Sequence, residues 1–292
     1  QVLSIPGSAM AAQLCRRGHR AAISAAAAGG PAGQQGHLCM ALPRWRVAGA
    51  GLRNLVTADR PKPMRRFYKN AGVKLVEGGG AWAVTLDGKA VRTPKGSPME
   101  LPTLSLAEAV ADEWESQGEK VDPREMPMTT LGCTALDLVR PDPAACVDRL
   151  LPYLSTDTVC FEDENERLAQ LQLQEWAPLR EWFGSCFGVT LGTARGLAVP
   201  AHHEGTLEAV GSQLGSRDPW ELCAIEVATN TAKSLIVAVA LVDRDEVDAE
   251  QALRWALLEE HFQIERWGLV EGEHDVSQED MLLWLTATRK FV

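Results

Sequence analysis

The sequence contains no apolar run close to the roughly 18 residues that a membrane-spanning helix needs. Its longest apolar run, Leu235 to Val242, is short and indicates a helix segment buried in a protein core. The common catalytic motifs are also missing: we find no G-x-S-x-G, no H-E-x-x-H, no Walker A loop and no dinucleotide-binding glycine pattern. We therefore predict no membrane insertion, assign no catalytic residue, and expect a protein that is not an enzyme.

A pattern of metal ligands is missing as well. The seven cysteines are scattered and include no C-x-x-C pair, which is not a disulfide framework and favours a reducing compartment. His202 and His203 are adjacent, so on a helix they would point about 100° apart and could not easily share a metal ion. His261 and Glu265 have the spacing of two ligands on one helix face, but no further ligand is evident. We predict no metal site and no cofactor.

Acidic residues are nearly absent from the first 66 residues, which hold ten Lys or Arg and a single acid, Asp59. Residues 1–60 are rich in Ala, Gly, Arg and Ser, the composition of an organelle transit peptide, and we expect them to be disordered. A basic arm that binds nucleic acid is the alternative for this segment. Residues 67–292 hold 19 basic and 38 acidic residues, a net charge of −19. So acidic a body argues against general nucleic-acid binding, which requires neutralising phosphates.

The pattern after the leader changes from short strands to helices. Trp82, Val84 and Leu86 alternate with smaller or polar residues, and Asp87-Gly88 after them is a strong hairpin signal. From residue 141 onward the segments have helical spacing. We predict an α+β protein, in which a small N-terminal antiparallel β-containing domain with one or two helices, residues 61–140, is followed by a larger all-α helical domain, residues 141–292.

Three predicted helices bear on the later argument. One covers about residues 105–117 and carries Trp114 on its apolar face, so we assign Trp114 a structural role in the core. A second covers 164–176 and ends before Pro178, which should open the next helix. A third begins at Asp218-Pro219 and reaches Val242 without interruption.

The helix that we place at the centre of the helical domain spans about Asp248 to Trp267, closed by Gly268. It contains no helix breaker. Its apolar residues form two stripes on roughly opposite sides, and such a helix is normally packed on both sides. One stripe holds Leu253, Leu257, Ile264 and Trp267, and the other holds Trp255, Leu258 and Phe262. We therefore assign Trp267 a structural role.

Glu260 does not fit this pattern, because the 3.6-residue period places it between Leu257 and Ile264. A buried carboxylate without a partner is costly. Glu260 is therefore paired with a cation, placed at a gap in the packing, or reserved for a binding partner. The plainer alternative is an edge-exposed carboxylate that is satisfied locally.

Seven blocks of the sequence, taken in their order and spacing, are specific to one known family. They are Arg66–Asn70, Val84–Gly88 with Arg92–Pro94, Leu106–Gln117, Met128–Leu131, Ser155–Thr158, Gln174–Pro178 and Leu258–Gly268. Together they resemble the mitochondrial ATP synthase assembly factor 2 family, the chaperones of the alpha subunit of the catalytic head. The resemblance covers about residues 65–270.

The resemblance implies the same order of a small β-containing domain and a larger helical domain. It also implies an assembly chaperone for the ATP synthase catalytic head, which binds unassembled alpha subunit and prevents its aggregation until alpha pairs with beta. The expected location is the mitochondrial matrix, with a plastid as the alternative destination of the leader. The expected partner is the alpha subunit, with no nucleic acid.

The candidate client-binding residues lie in one of the most characteristic blocks: Glu259, Glu260, Gln263 and Arg266. We expect Glu260, together with Glu259, to meet a basic group of the client. Two other functions stay open, a matrix enzyme with an unrecognised active site and a scaffold for another complex. A confined pocket with convergent polar groups and shifted pKa values would favour the enzyme.

Overall fold

A small antiparallel sheet comes first along the chain, and helices follow it. The structure is a computed structural model that describes residues 63–196, 198–268 and 274–292. The predicted transit segment, residues 1–60, lies outside the described residues. The order of the elements confirms the predicted α+β fold. One hydrophobic core includes residues from Tyr68 in the β part to Phe291 in the last helix. A domain boundary near residue 140 stays a prediction.

The main sheet is built around the third strand of the chain. The strands are β1 Met64–Arg65, β2 Ala71–Leu75, β3 Trp82–Leu86, β4 Lys89–Ala90, β5 Glu100–Leu101, β6 Lys120–Val121, β7 Phe161–Glu162 and β8 Ala194–Arg195. β3 pairs antiparallel with β2, β4 and β5, whereas β1 pairs with β6 and β7 with β8 outside this sheet. Leu86 pairs with Lys89, and both loop residues, Asp87 and Gly88, have positive φ. This is the predicted two-residue hairpin, in which positive φ favours Asp-Gly.

Ten helices are described. They are α1 Leu104–Glu115, α2 Pro127–Thr134, α3 Pro143–Ser155, α4 Glu166–Phe187, α5 Thr206–Gly215, α6 Pro219–Ala232, α7 Leu235–Asp243, α8 Ala249–Ala256, α9 Leu258–Trp267 and α10 His274–Phe291. α3 and α6 each begin with Asp-Pro, in which the aspartate accepts from a first-turn amide and proline occupies the position that needs no donor. Within the described ranges, none of these helices has both the length and the apolar character needed to cross a membrane.

The first helix, α1, packs against the main sheet. Its apolar face, with Leu106, Val110 and Trp114, is buried against β2 and β3. The indole of Trp114 is 1% exposed, as predicted for a core residue. Its backbone carbonyl accepts a hydrogen bond from the Tyr68 hydroxyl, and the two rings lie edge to face with centroids 5.5 Å apart. Arg66 adds a hydrogen bond to the Glu115 carbonyl at the end of the helix, so the Arg66–Asn70 block terminates α1.

The predicted break before Pro178 is wrong, because α4 is a single helix with Pro178 inside it. Its buried residues form one stripe that continues across the proline at helical spacing: Leu168, Gln172, Trp176, Leu179, Phe183 and Phe187. Burying both halves of this stripe against the same core outweighs the one hydrogen bond that proline cannot make.

The predicted uninterrupted helix over 219–242 is also wrong. α6 ends at Ala232, Lys233 adopts a left-handed conformation with φ 55°, and Ser234 is extended. The Ser234 hydroxyl then accepts from the Val237 amide at 3.0 Å and starts α7. The turn allows α7 to enter the interior, where all seven residues from Leu235 to Leu241 are 0% exposed. A helix that is apolar on every side needs neighbours on every side, which it would lack as an extension of α6.

Replacing Trp114 with arginine places a charge in a site that is 1% exposed. We expect Trp114→Arg to lower the free energy of unfolding by about 4 kcal/mol, since it removes a large apolar side chain and buries an unpaired charge. Trp267→Arg is the matched control, because that indole is 72% exposed. Urea unfolding of both variants would test this, and equal stability of the two would contradict the core role of Trp114.

Candidate functional site

Helix α4 contacts both α8 and α9. The contacts run antiparallel along the two segments. Gln172 of α4 donates to Glu259 at 2.7 Å, and Trp176 lies one turn further along and contacts Trp255. At the other end, the Arg167 guanidinium lies 6.0 Å from the centroid of the Phe262 ring. The helix that carries the Gln174–Pro178 block therefore packs against α8 and against the start of the Leu258–Gly268 block.

The single central helix predicted over 248–267 is wrong, because the chain breaks at Leu257 into α8 and α9. The indole N–H of Trp176 donates to the Trp255 carbonyl oxygen at 3.1 Å. In a continuous helix that oxygen would accept from the amide of Glu259. The Trp255 indole in turn donates to the Glu175 carboxylate at 3.2 Å. These two hydrogen bonds to α4 residues, Trp176 and Glu175, fix the break, and the local sequence of 248–267 does not reveal them.

The Glu259 side chain is hydrogen-bonded to a buried residue of α4. Gln172, 1% exposed, accepts from the Asp163 amide and donates to Glu259 Oε1, both at 2.7 Å. Burial raises the pKa of the half-buried Glu259 carboxyl above its ordinary value, and the hydrogen bond from Gln172 opposes that rise. Glu259 therefore fixes α9 to α4, in addition to any contact with a partner.

Glu260, the next residue of α9, contacts α10. It is half-buried, and its Oε1 accepts a long hydrogen bond of 3.4 Å from the Gln278 side chain. Leu257, one turn before it, is buried, whereas Ile264, one turn after it, is half-buried. Of the alternatives drawn from the sequence, this position fits a locally satisfied carboxylate at the edge of the packing.

The second half of α9 extends away from the core. Gln263, Arg266 and Trp267 are exposed, and Trp267 has 72% of its surface accessible. The predicted burial of Trp267 in an apolar stripe is therefore wrong. The antiparallel pairing explains this, because α4 begins at Glu166 and has no further turn to place beside α9 after Phe262. The Arg266 guanidinium lies 5.6 Å from the centroid of the Trp267 ring.

Three of these residues share one line along the helix surface. Glu260, Gln263 and Trp267 have the spacing i, i+3 and i+7, which places them on one face. Glu259, Gln263 and Arg266 have the spacing i, i+4 and i+7 and form the adjacent row. The structure thus gathers the four predicted client-binding residues on one side of α9, and we call this side, with Trp267, the α9 face. It offers carboxylates near one end and a guanidinium and an indole at the other.

Two carboxylates elsewhere, the half-buried Glu113 and the buried Asp157, were missed from the sequence. Glu113 accepts from the Met128 and Thr129 amides and from the Thr129 hydroxyl at 2.6 to 2.8 Å, and so caps α2. Asp157 accepts from the Ile236 amide at 3.1 Å at the start of α7. Burial raises the pKa of Glu113 to about 7 and that of Asp157 to about 6. Both lie in blocks that carry the family resemblance, which was the available signal.

The described part of the chain has a cavity apart from these two carboxylates. A cavity of about 530 Å³ lies around the start of α5, with Ser155 on one side and the segment from Val199 to Glu208 on the others. Neither Glu113 nor Asp157 lines it. Within the part of the chain that the structure describes, no three His, Cys, Asp or Glu side chains are grouped to hold a metal ion.

A sequence model of the ATP12 chaperone protein family matches residues 65–184, so the class of protein is a chaperone. Two curated fungal proteins are similar over most of their length. Mitochondrial protein atp12 of Schizosaccharomyces pombe is 30% identical over 76% of this chain and 80% of its own. Mitochondrial protein ATP12 of Saccharomyces cerevisiae is 26% identical over 82% of this chain and 90% of its own.

Solved structures agree with this assignment. The crystal structure of Atp12 from Paracoccus denitrificans superposes with a TM-score of 0.71 at 32% identity, covering 78% of this chain and 96% of that one. The Atu1473 protein of Agrobacterium tumefaciens gives a TM-score of 0.73 at 30% identity, covering 78% and 85%. The chain belongs to the ATP12 chaperone family.

The raised pKa of Glu113 makes stability depend on pH. Between its ordinary value of 4.5 and about 7, the unfolded chain loses this proton while the folded chain keeps it. The contribution of Glu113 to the free energy of unfolding therefore falls as pH rises through this window, by about 3 kcal/mol in full. Glu113→Gln cannot titrate and should lack this fall. Urea unfolding of both proteins from pH 4.5 to 8 measures the difference, and parallel pH profiles would exclude the effect.

Proposed function

We propose that this protein is an assembly chaperone for the catalytic head of the mitochondrial ATP synthase. It binds the unassembled alpha subunit and prevents its aggregation until alpha pairs with beta. Membership in the ATP12 chaperone family supports this function. The two fungal relatives are mitochondrial proteins, which supports a mitochondrial location. We place this chain in the matrix.

The observation that carries the proposal is the α9 face. A helix in a folded protein normally buries its apolar residues, yet α9 exposes its last turn, including a tryptophan. The side chains of α4 hold the start of α9, because Gln172 donates to Glu259 and Trp176 donates to the Trp255 carbonyl oxygen just before this helix. The face is therefore fixed at its start and exposed at its end, which reduces the entropy that is lost when a partner binds.

The carboxylates of the α9 face select the partner. We assign the main contact to Glu260, because Glu259 is already engaged by Gln172. A basic group of the client that meets Glu260 can replace the long hydrogen bond from Gln278 with a stronger, charge-assisted one. Gln263 and Arg266, both exposed, flank this contact and can donate to client carbonyl or carboxylate groups.

Charge outside the α9 face favours the same kind of partner. The body from residue 67 onward has a net charge of −19, which steers basic surfaces toward the protein and repels nucleic acid. We propose no catalytic role, since Glu113 and Asp157 cap helices and lie away from the cavity at α5.

An aggregation assay tests the function directly. Unassembled alpha subunit, diluted from denaturant, should scatter less light in the presence of this protein and should elute with it as a complex. The beta subunit, treated in the same way, should aggregate as it does alone. Equal inaction on the two subunits would rule out the proposal.

Reversing the charge of Glu260 tests the assigned contact. Glu260→Lys should weaken binding to the alpha subunit by about tenfold or more, because it places like charges together in the complex. Glu265→Lys is the matched control, since it makes the same charge change on the same helix about 140° away from Glu260. Circular dichroism should show that both variants keep their helices. Unchanged affinity of a folded Glu260→Lys protein would remove Glu260 from the site.

A further inference from the structure

The side chain of Trp267 is the most exposed large apolar residue among those described, with 72% of its surface accessible. Eight other large apolar residues are exposed, at 37% to 64%, but none of them belongs to α9. Seven other tryptophans lie within the described ranges, and none of these is among the exposed residues. The exposure of Trp267 therefore distinguishes the last turn of α9 from the rest of the described surface.

The position of this indole relative to Glu260 is fixed by the helix. Seven residues separate them, which is close to two full turns, so both side chains lie on one line along α9. At 1.5 Å per residue the separation along the axis is about 10 Å. Gln263 lies between them on the same face, so a partner that covers Glu260 and extends along α9 also covers Trp267.

The indole is also restrained by its neighbour. The Arg266 guanidinium lies 5.6 Å from the ring centroid, within the range of a cation–π contact. A side chain that is held before binding loses less entropy in the complex. Tryptophan and arginine are among the residue types that most often supply a large share of the energy in protein interfaces. An indole buries a large surface with only about two rotatable bonds.

We propose that Trp267 is the apolar anchor of the α9 face and inserts into an apolar socket on the client. The client therefore carries two features about 10 Å apart along its surface, a basic group that meets Glu260 and a pocket that accepts an indole. This inference rests on the proposed function, since it takes the unassembled alpha subunit as the client. It adds a residue to which the sequence had assigned only a role in packing.

Affinity measurements on the full chain test the anchor. Trp267→Ala should bind unassembled alpha subunit at least about tenfold more weakly than the wild type, whereas Trp267→Phe should retain part of the affinity. Leu173→Ala is the matched control, because Leu173 is 60% exposed on α4 and lies outside the α9 face. It should bind as the wild type does. All three changes are at exposed side chains, so their unfolding midpoints should stay close to the wild-type value.

Fluorescence gives a second readout at the same residue. The difference between the wild-type and Trp267→Phe emission spectra reports Trp267 alone. Adding the alpha subunit should shift this difference spectrum to shorter wavelength, because the indole leaves water for an apolar socket.

Three results would overturn the inference. If the wild type binds the alpha subunit and Trp267→Ala binds equally well, the proposed function stands and the anchor falls. If the wild type does not bind the alpha subunit, both fall. If Trp267→Ala changes the oligomeric state of the chain in the absence of client, measured by sedimentation, the face belongs to a second copy of the chain.

Discussion

The fold depends on the burial of one short apolar helix. Every residue from Leu235 to Leu241 is 0% exposed, so α7 needs neighbours on all sides, and α3, α4, α6, α8 and α10 supply them. Its first amides cannot reach water, and a buried amide without a partner costs free energy. The Ser234 hydroxyl and the fully buried Asp157 carboxylate accept from them. The helical part is therefore organised around an apolar segment whose polar end is satisfied by two specific side chains.

Through α4, this constraint also sets the position of the candidate site. α4 packs against α7 and turns Gln172 and Trp176 toward α8 and α9, where they fix Glu259 and the Trp255 carbonyl oxygen. The two hydrogen bonds hold the start of α9. Since α4 begins only at Glu166, the end of α9 extends past α4, and Gln263, Arg266 and Trp267 are exposed there. The same helix thus makes one end of α9 rigid and leaves the other end accessible.

Several motif blocks prove to be capping and packing elements. Arg66 and Tyr68 donate hydrogen bonds to carbonyl oxygens at the end of α1, and Glu113 accepts three hydrogen bonds at the start of α2. Such positions are recognisable in the sequence as motif blocks, but their role is not recognisable there. The same residue type, a glutamate or an aspartate, can either cap a helix or bind a partner. The Leu258–Gly268 block differs from these, since it combines buried contacts at Glu259 and Phe262 with the exposed side chains that follow.

The sequence by itself determined the features that depend on neighbouring residues. Alternation and Asp-Gly are sufficient for the β3–β4 hairpin, helical spacing places Trp114 in the core, and the seven motif blocks, taken in their order and spacing, identify the family. Only the tertiary structure decided where the central helix breaks, whether Pro178 interrupts α4, and which of the apolar residues of α9 are buried. The physical reason is common to all three. Periodicity states which residues share a face, whereas the break at Leu257 and the exposure of Trp267 depend on Trp176 and on the start of α4, about 80 to 100 residues away in the chain.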